Sequence, residues 1–298
     1  MNQRRVGIDV GGTKTLAVVV DLAHPGVILD QRVVPTPVSA PAVIDVLLDL
    51  ARELGAVEQL GLGLAGLVEN GAVLRSAPNL QCLIDVPVQD ILVDALQFPV
   101  VIENDATCAL FAEMECGAAR GKSDVVLVTL GTGIGGGVAT GGTAQRGAHG
   151  FAGEPGHMCV DPNGPLCVCG RRGCWERFAS GAGLVRLAQR QGLSTEGGGG
   201  IGGEYLARLA REGDDAAVQV WSEFADWLAL GLANLADILD PELIVIGGGL
   251  VGAADLFLGH TRGEFFGAVL GGAARIRTTI EPAQLGSSAG AIGAALLH

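Results

Sequence analysis

A chain of 298 residues with 49% apolar and only 17% charged content carries enough hydrophobic material for one large or two medium cores, which excludes a disordered segment. Its formal net charge of −13 argues against nucleic acid as a partner, because neutralising phosphates takes a basic face. No secretory leader pattern and no run of about eighteen uninterrupted apolar residues occurs, so the sequence reads as a cytoplasmic protein that does not enter a membrane.

The elements follow in order. Arg5 to Val10 reads as a strand, Gly11-Gly12-Thr13-Lys14 as a turn, and Leu16 to Asp21 and Val27 to Val34 as two further strands of a meander. Apolar positions Val43, Val46, Leu47, Leu50 and Leu54 predict a helix over Pro41 to Leu54. Gly61 to Gly66 and Val100 to Glu103 read as buried strands, the second delivering Asn104-Asp105 ahead of a helix from Ala106 to Gly117. A second unit starts near Asp124 with strand Val125 to Leu130, a glycine turn over Gly131 to Gly137, and strand Val138 to Thr140. The strand, glycine turn, strand opening thus occurs twice, as a weak internal repeat. Gly197 to Gly203 reads as an exposed loop. The longest helical pattern is Asp215 to Leu239, followed by strand Leu243 to Ile246, Gly247-Gly248-Gly249, helix Ala253 to Phe266 and a closing helix from Gly286 to Leu297.

Five places carry chemistry. In Asp9-x-Gly11-Gly12-Thr13-Lys14, the glycines let backbone N–H groups approach phosphate oxygens, Thr13 adds a hydroxyl, and Asp9 can hold Mg²⁺ through water; a plain hairpin turn is the bland alternative. The segment Gly131 to Gly137, after Leu130, has five glycines in seven positions, costly to order and explained by close approach to a ligand. No helix follows directly and no Gly-Lys-Ser/Thr is present, so it is neither the dinucleotide fingerprint nor a P-loop. Asn104-Asp105 at a strand end supplies a carboxylate able to accept a hydroxyl proton and an amide for a polyol, and equally a helix cap. Gly247-Gly248-Gly249 lets an adenosine lie close to the backbone, or simply turns strand into helix.

The fifth place is the most specific. His157, Cys167, Cys169 and Cys174 fall within eighteen residues, with Gly170 and Gly173 at tight turns and Glu154 and Glu176 at the ends. Three thiolates and one imidazole fill a tetrahedron around zinc and leave no position for water, so the zinc is expected to be structural. The other cysteines, Cys82, Cys108, Cys116 and Cys159, lie singly in apolar settings and are expected as small buried hydrophobes of a reduced protein.

The order and spacing of these motifs, with Gly147 leading to Glu154-Pro-Gly-His157, resemble the ROK family of sugar kinases over essentially the whole chain, and within it the bacterial glucokinases. The resemblance implies an α/β chain with the two-domain actin-like ATPase (ribonuclease H-like) fold and an active site in the interdomain cleft. Domains of 1–118 plus 286–298 and of 119–285, the latter with the zinc loop, are expected. It implies ATP-dependent, in-line phosphorylation of the 6-hydroxyl of glucose, with Mg²⁺ bound to ATP and Asp105 as the base. Sugar contacts are implied for Gly66, Asn79, Asn104, Asp105, Glu154, His157 and Glu176. His157 would hold zinc through one ring nitrogen and sugar through the other. Gly12, Thr13, Thr132, Gly133 and Gly248 would line the nucleotide, with Asp9, Gly11, Lys14 and Gly247 beside them. A homodimer or homotetramer is implied. Two departures touch the sugar side: Ala65 stands where relatives often have Pro, and Leu83 where they often have Trp, both flanking the expected pocket. N-acetylglucosamine, N-acetylmannosamine, mannose and fructose are therefore alternative acceptors, and polyphosphate an alternative donor. Sugar-responsive repressors of the family carry a helix-turn-helix ahead of the first strand, for which a strand starting at Arg5 leaves no room. A non-catalytic scaffold is disfavoured by the zinc knot.

Overall fold

The computed structural model of the protein describes residues 4–193, 202–275 and 277–298. The chain opens with β1 (Arg4–Val10), β2 (Lys14–Asp21) and β3 (His24–Pro35). There follow α1 (Ala40–Glu53), β4 (Leu60–Leu64), the hairpin β5 (Leu67–Glu69) and β6 (Val73–Ser76), α2 (Val88–Leu96), β7 (Val100–Asn104) and α3 (Asp105–Cys116). Next come β8 (Val125–Leu130), β9 (Ile134–Thr140), β10 (Thr143–Ala144), α4 (Glu176–Ala179), α5 (Gly181–Arg190), α6 (Gly203–Arg211) and α7 (Asp215–Leu239). The chain closes with β11 (Leu243–Gly247), α8 (Ala254–Ala268), β12 (Thr279–Pro282) and α9 (Ala289–Ala295).

Two five-stranded sheets result, ordered β3-β2-β1-β4-β7 and β10-β9-β8-β11-β12. In the first, β1 is antiparallel to β2 and parallel to β4; in the second, β8 lies between β9 and a parallel β11. The repeat legible as strand, glycine turn, strand therefore extends to the whole strand order. The strands β4 and β11 are buried along their full length, as continuous apolar runs in parallel pairing must be.

The chain divides into two compact units, Met1–Ser123, Gly137–Gly153 and Gln284–His298 in the first, and Asp124–Gly136 and Glu154–Ala283 in the second. The stretch Gly137–Gly153, assigned by chain order to the second domain, groups with the first unit. In the first unit, Leu47 and Leu50 of α1 share one core with Ile8, Leu60 and Leu62 of the sheet. On β1 and β4, Gly7 and Gly61 are register partners. A Cβ on Gly61 would stand 1.8 Å from the Ala294 carbonyl oxygen, and one on Gly7 2.1 Å from that of Ala291. The backbone of α9 thus rests directly on the sheet through two missing side chains. Gly61→Ala is expected to cost about 3 kcal/mol of stability by forcing that helix off; urea unfolding measures it, and a loss below about 1 kcal/mol would show that α9 moves freely. Glu113, fully buried in α3, ties down the segment leading to α9: its carboxylate accepts the N–H groups of Ala118 (2.7 Å), Gln284 (3.0 Å) and Leu285 (2.8 Å).

In the second unit, α7 buries Trp221, Phe224, Leu228, Leu232 and Leu235, the face its periodicity announces. Its Gly231 admits the indole of Trp175, which would lie 2.0 Å from a Cβ there and donates its N–H to the Trp227 carbonyl at 2.7 Å.

Several expectations are corrected. The glycine turn spans only residues 131–133, because β9 already begins at Ile134. Gly136 sits inside that strand, where a Cβ would meet Pro155 Cγ at 2.5 Å. The closing helix is shorter than read, since Gly286–Ser288 forms a separate 3-10 turn. The hairpin of β5 and β6, and α2, α5, α6 and β12, are additional to the expected elements. The glycine loop expected over 197–203 lies outside the described residues up to 201; Gly202 precedes α6 and Gly203 begins it. Of the four scattered cysteines, Cys108 is buried, Cys82 and Cys116 are half-buried, and Cys159 is exposed, where its backbone bridges to Cys174. No helix among the described residues is long and apolar enough to cross a membrane.

Candidate active site

The first unit brings two carboxylates together at the ends of parallel strands. Asp9 lies near the end of β1, in register with Gly63 of β4, while Asp105 opens α3 directly after β7. Asn104 shapes that corner. Its Oδ1 accepts the Thr107 N–H at 3.0 Å, and its Nδ2 donates to the Gly66 carbonyl at 3.0 Å. The cap expected of Asn104 and the presentation of Asp105 are therefore one arrangement. Gly66 has φ +141°, and a Cβ there would stand 2.4 Å from the Ser76 carbonyl oxygen, so glycine is required for its carbonyl to reach Asn104.

Burial pushes the Asp105 carboxyl up to about 6, against backbone N–H groups, including that of Ala106 at 2.9 Å, that pull it down. Asp9 is pushed up to about 7, first by burial and then by the charge of Asp105, with Lys14 opposing. A pair of buried carboxylates raised toward neutrality suits a proton acceptor beside a cation-binding acid. Above them, the tip Gly12-Thr13-Lys14 is exposed. It is held by Gly11 N–H to the Lys14 carbonyl (3.0 Å) and by the Thr36 hydroxyl to the Gly11 carbonyl (2.7 Å). A Cβ on Gly12 would lie 2.5 Å from Asn79 Cβ, so the phosphate-type turn and Asn79 are neighbours. Leu83 is completely buried in the core of this unit, not flanking a pocket as expected; Ala65 is half-buried.

In the second unit, the glycine turn and the start of α5 border an open hollow of about 430 Å³ lined by Gly131, Thr132, Ala182, Val185, Gly249 and Leu250 among others. The N–H groups of Gly181 and Ala182 bond the carbonyls of Gly131 (2.8 Å) and Thr132 (3.2 Å), which locks α5 to the turn. Sequence reading named Thr132 but missed Gly181 and Ala182; the signal was Ser180, whose hydroxyl caps α5 by accepting the Gly183 N–H at 3.1 Å. Gly248 has φ +85° and packs on the Leu130 backbone, while Gly247 ends β11 in register with Thr129. Gly133 lies beside Glu176, whose Oε2 would be 2.5 Å from a Cβ there.

Glu176 also reaches the knot. Its Oε1 accepts the Cys167 S–H at 2.9 Å and lies 3.8 Å from His157 Nδ1. The ligand atoms of His157, Cys167, Cys169 and Cys174 all lie within 4.8 Å of one another. Cys169 and Cys174 Sγ are 3.5 Å apart, and Cys167 Sγ is 3.8 Å from His157 Nδ1. Those spacings match the edges, about 3.4–3.8 Å, of a tetrahedron with zinc–ligand bonds of about 2.0–2.3 Å. The donor set, three sulfurs and a nitrogen, is also zinc's. The backbone is folded for it: Gly173, with φ +67°, lies against Asp161, and Cys167 N–H bonds the Arg171 carbonyl at 2.8 Å. Glu154 leads the turn Pro155–His157, whose Gly156 packs on the Ile134 backbone.

The ROK family model matches residues 5–298. The chain belongs to the ROK family. A ROK relative, the glucokinase of Streptomyces coelicolor, is 38% identical over 97% of this chain and 96% of its own length. The N-acetylmannosamine kinase of Escherichia coli is 36% identical over 85% of each. Among solved structures, a ROK glucokinase from Streptomyces griseus in complex with glucose and AMPPNP is 39% identical, with a TM-score of 0.88 over 98% of both chains. The fold is the α/β actin-like ATPase fold that ROK kinases share.

Proposed function

We propose that this ROK protein is an ATP-dependent hexose kinase that phosphorylates the 6-hydroxyl of glucose. The observation that carries the reading is its likeness to glucokinases along the full chain. Asp105 accepts the proton of the attacking hydroxyl, and its raised pKa, about 6, keeps it basic near neutral pH without making it inert. The sugar contacts carried over from the family resemblance are Gly66, Asn79, Asn104, Glu154, His157 and Glu176. Mg-ATP is the donor. Gly11, Gly12, Thr13 and Lys14 approach its phosphates, Asp9 faces its cation through water, and Thr132, Gly133, Gly247 and Gly248 lie along the nucleotide.

Zinc, when bound by His157, Cys167, Cys169 and Cys174, supplies no nucleophile, since the tetrahedron is closed; it fixes the loop. With Nδ1 turned toward Cys167, the Nε2 of His157 is left for the sugar. Four such ligands, all cysteines being free thiols, fit a reduced cytoplasmic compartment. Exposed Ile238, Leu239 and Leu270 on the second unit suit assembly into a homo-oligomer.

The test is ADP release with Mg-ATP against glucose, N-acetylglucosamine, N-acetylmannosamine, mannose and fructose. Highest kcat/KM on glucose is expected. Preference for an acetamido sugar would move the substrate and keep the chemistry. Absence of turnover on every sugar, with either ATP or polyphosphate, would overturn the kinase reading.

A further inference from the structure

Glu103 is a carboxylate that the chemistry above does not use. It is the penultimate residue of β7, and its side chain is 8% exposed. A buried carboxylate is costly unless its charge is paired and its lone pairs are filled. Glu103 meets both conditions. Its Oε1 accepts the N–H of Asn104 at 2.9 Å, and its Oε2 accepts the Nε–H of Arg146. The Arg146 guanidinium in turn lies over the ring of Phe111 in α3, 5.3 Å from its centroid. The hydrogen bond at Asn104 N–H falls on the residue that caps α3 and holds the Gly66 carbonyl, one position before Asp105.

We propose that the Glu103–Arg146 pair is the positioning element of the acceptor side of this site: it locks the corner between β7 and α3, and through Asn104 sets the direction in which Asp105 meets the sugar hydroxyl. The proposal rests on the kinase reading above. Two features separate it from a simple staple between a loop and a helix. The bonded atom is the amide of the capping residue itself, so any shift in Glu103 passes directly to Asn104 and Asp105. Moreover, a charge is retained where Asp9 and Asp105 already crowd negative groups, and a neutral acceptor would have served for folding alone. The field of the pair also reaches the floor of the site: the Cys108 thiol is pushed up by burial, then by Glu103, Asp9 and Asp105, and drawn down by Arg146.

The experiment compares Glu103→Ala, Arg146→Ala and the double variant in the full chain, well below each variant's Tm. A misplacement of the base of order 1 Å costs about 100-fold in rate, so kcat for glucose is expected to fall about 100-fold in Glu103→Ala and about tenfold in Arg146→Ala. The KM for Mg-ATP is expected to stay within about twofold, and the double variant to be no worse than Glu103→Ala, because contacting residues act as one unit. Arg146→Lys, which keeps the charge but loses the Nε–H donor and the stack on Phe111, is expected to recover only part of the Arg146→Ala loss. A kcat within about threefold of wild type in Glu103→Ala, or losses in the singles that multiply in the double, would overturn the proposal. Should Glu103→Ala fail to fold, Arg146→Ala and Arg146→Lys decide by the same split between kcat and KM, since the Arg146 side chain is half exposed. Amide hydrogen exchange over residues 104–107 gives a readout that needs no turnover: loss of protection in Arg146→Ala is expected, and unchanged protection would sink the corner-locking role. A wild-type chain inactive on every hexose would instead count against the kinase reading.

Discussion

Asp105→Asn is expected to leave glucose binding near wild type and to lower kcat by a factor of about 10²–10⁴. The size follows from the role. The amide keeps the shape of the carboxylate and the corner made by Asn104, but it cannot take the proton that leaves the sugar oxygen as phosphoryl transfer proceeds. The pH profile gives an independent check. Burial holds Asp105 up to about 6, so kcat/KM for glucose, measured at saturating Mg-ATP, falls as pH drops below that value. The sign is that of a base: protonation removes the acceptor, so activity is lost on the acid side and flat above it. In Asp105→Asn the limb near 6 should vanish, leaving only the acid-side loss that Asp9, held up by burial, contributes. Turnover near wild type, or an unchanged acid limb in the variant, would take the base role away from Asp105.

Loss of metal from the proposed zinc site is expected to loosen the knot and, with it, the sugar contacts proposed for His157 and Glu176. The loop has little else to hold it: Leu166 and Val168 are exposed, leaving mainly short backbone bridges and the buried Trp175 at its exit. In small zinc-folded units the metal contributes about 10–16 kcal/mol of apparent folding free energy at neutral pH, far more than such a loop recovers from packing. Cys167→Ser, or a strong chelator, is therefore expected to lower Tm and to raise the KM for glucose by about 10–100-fold through loss of His157 and Glu176 orientation. The KM for Mg-ATP should move less, because the hollow at Gly131 and Ala182 is built from backbone bonds outside the loop. Elemental analysis comes first. A chain without stoichiometric zinc, or one whose glucose KM ignores the chelator, would leave the four residues as a bare thiol cluster.

Local rules carried much of the chain. The helix over Asp215 to Leu239 was legible to the residue, because 25 positions of apolar spacing end at an Asp-Pro that cannot continue it. The strands at Val125 and Leu243 were legible as short apolar runs between turn residues, and the clustering of His157, Cys167, Cys169 and Cys174 from their spacing. Signals failed where length gave no period, as in β5 and β6 with three and four residues; α5 and α6 carry apolar positions three and four apart, such as Leu184, Leu187 and Ala188, but are short and lie beside glycines.

By itself the sequence determined most of the longer elements, the duplicated strand and glycine-turn pattern, and the cluster of His157, Cys167, Cys169 and Cys174, because each is written in residues close together along the chain. Tertiary structure alone decided which glycines serve packing, as Gly7 and Gly61 do beneath α9, and which serve a turn, as Gly131 does. It alone placed Leu83 in the core, ended the glycine turn at residue 133, set Ser180-Gly181-Ala182 against that turn, and joined Glu103 to Arg146. The physical reason is distance along the chain: closeness of backbone to backbone, and the pairing of a buried charge, depend on segments 40 or more residues apart, about which local composition carries no signal.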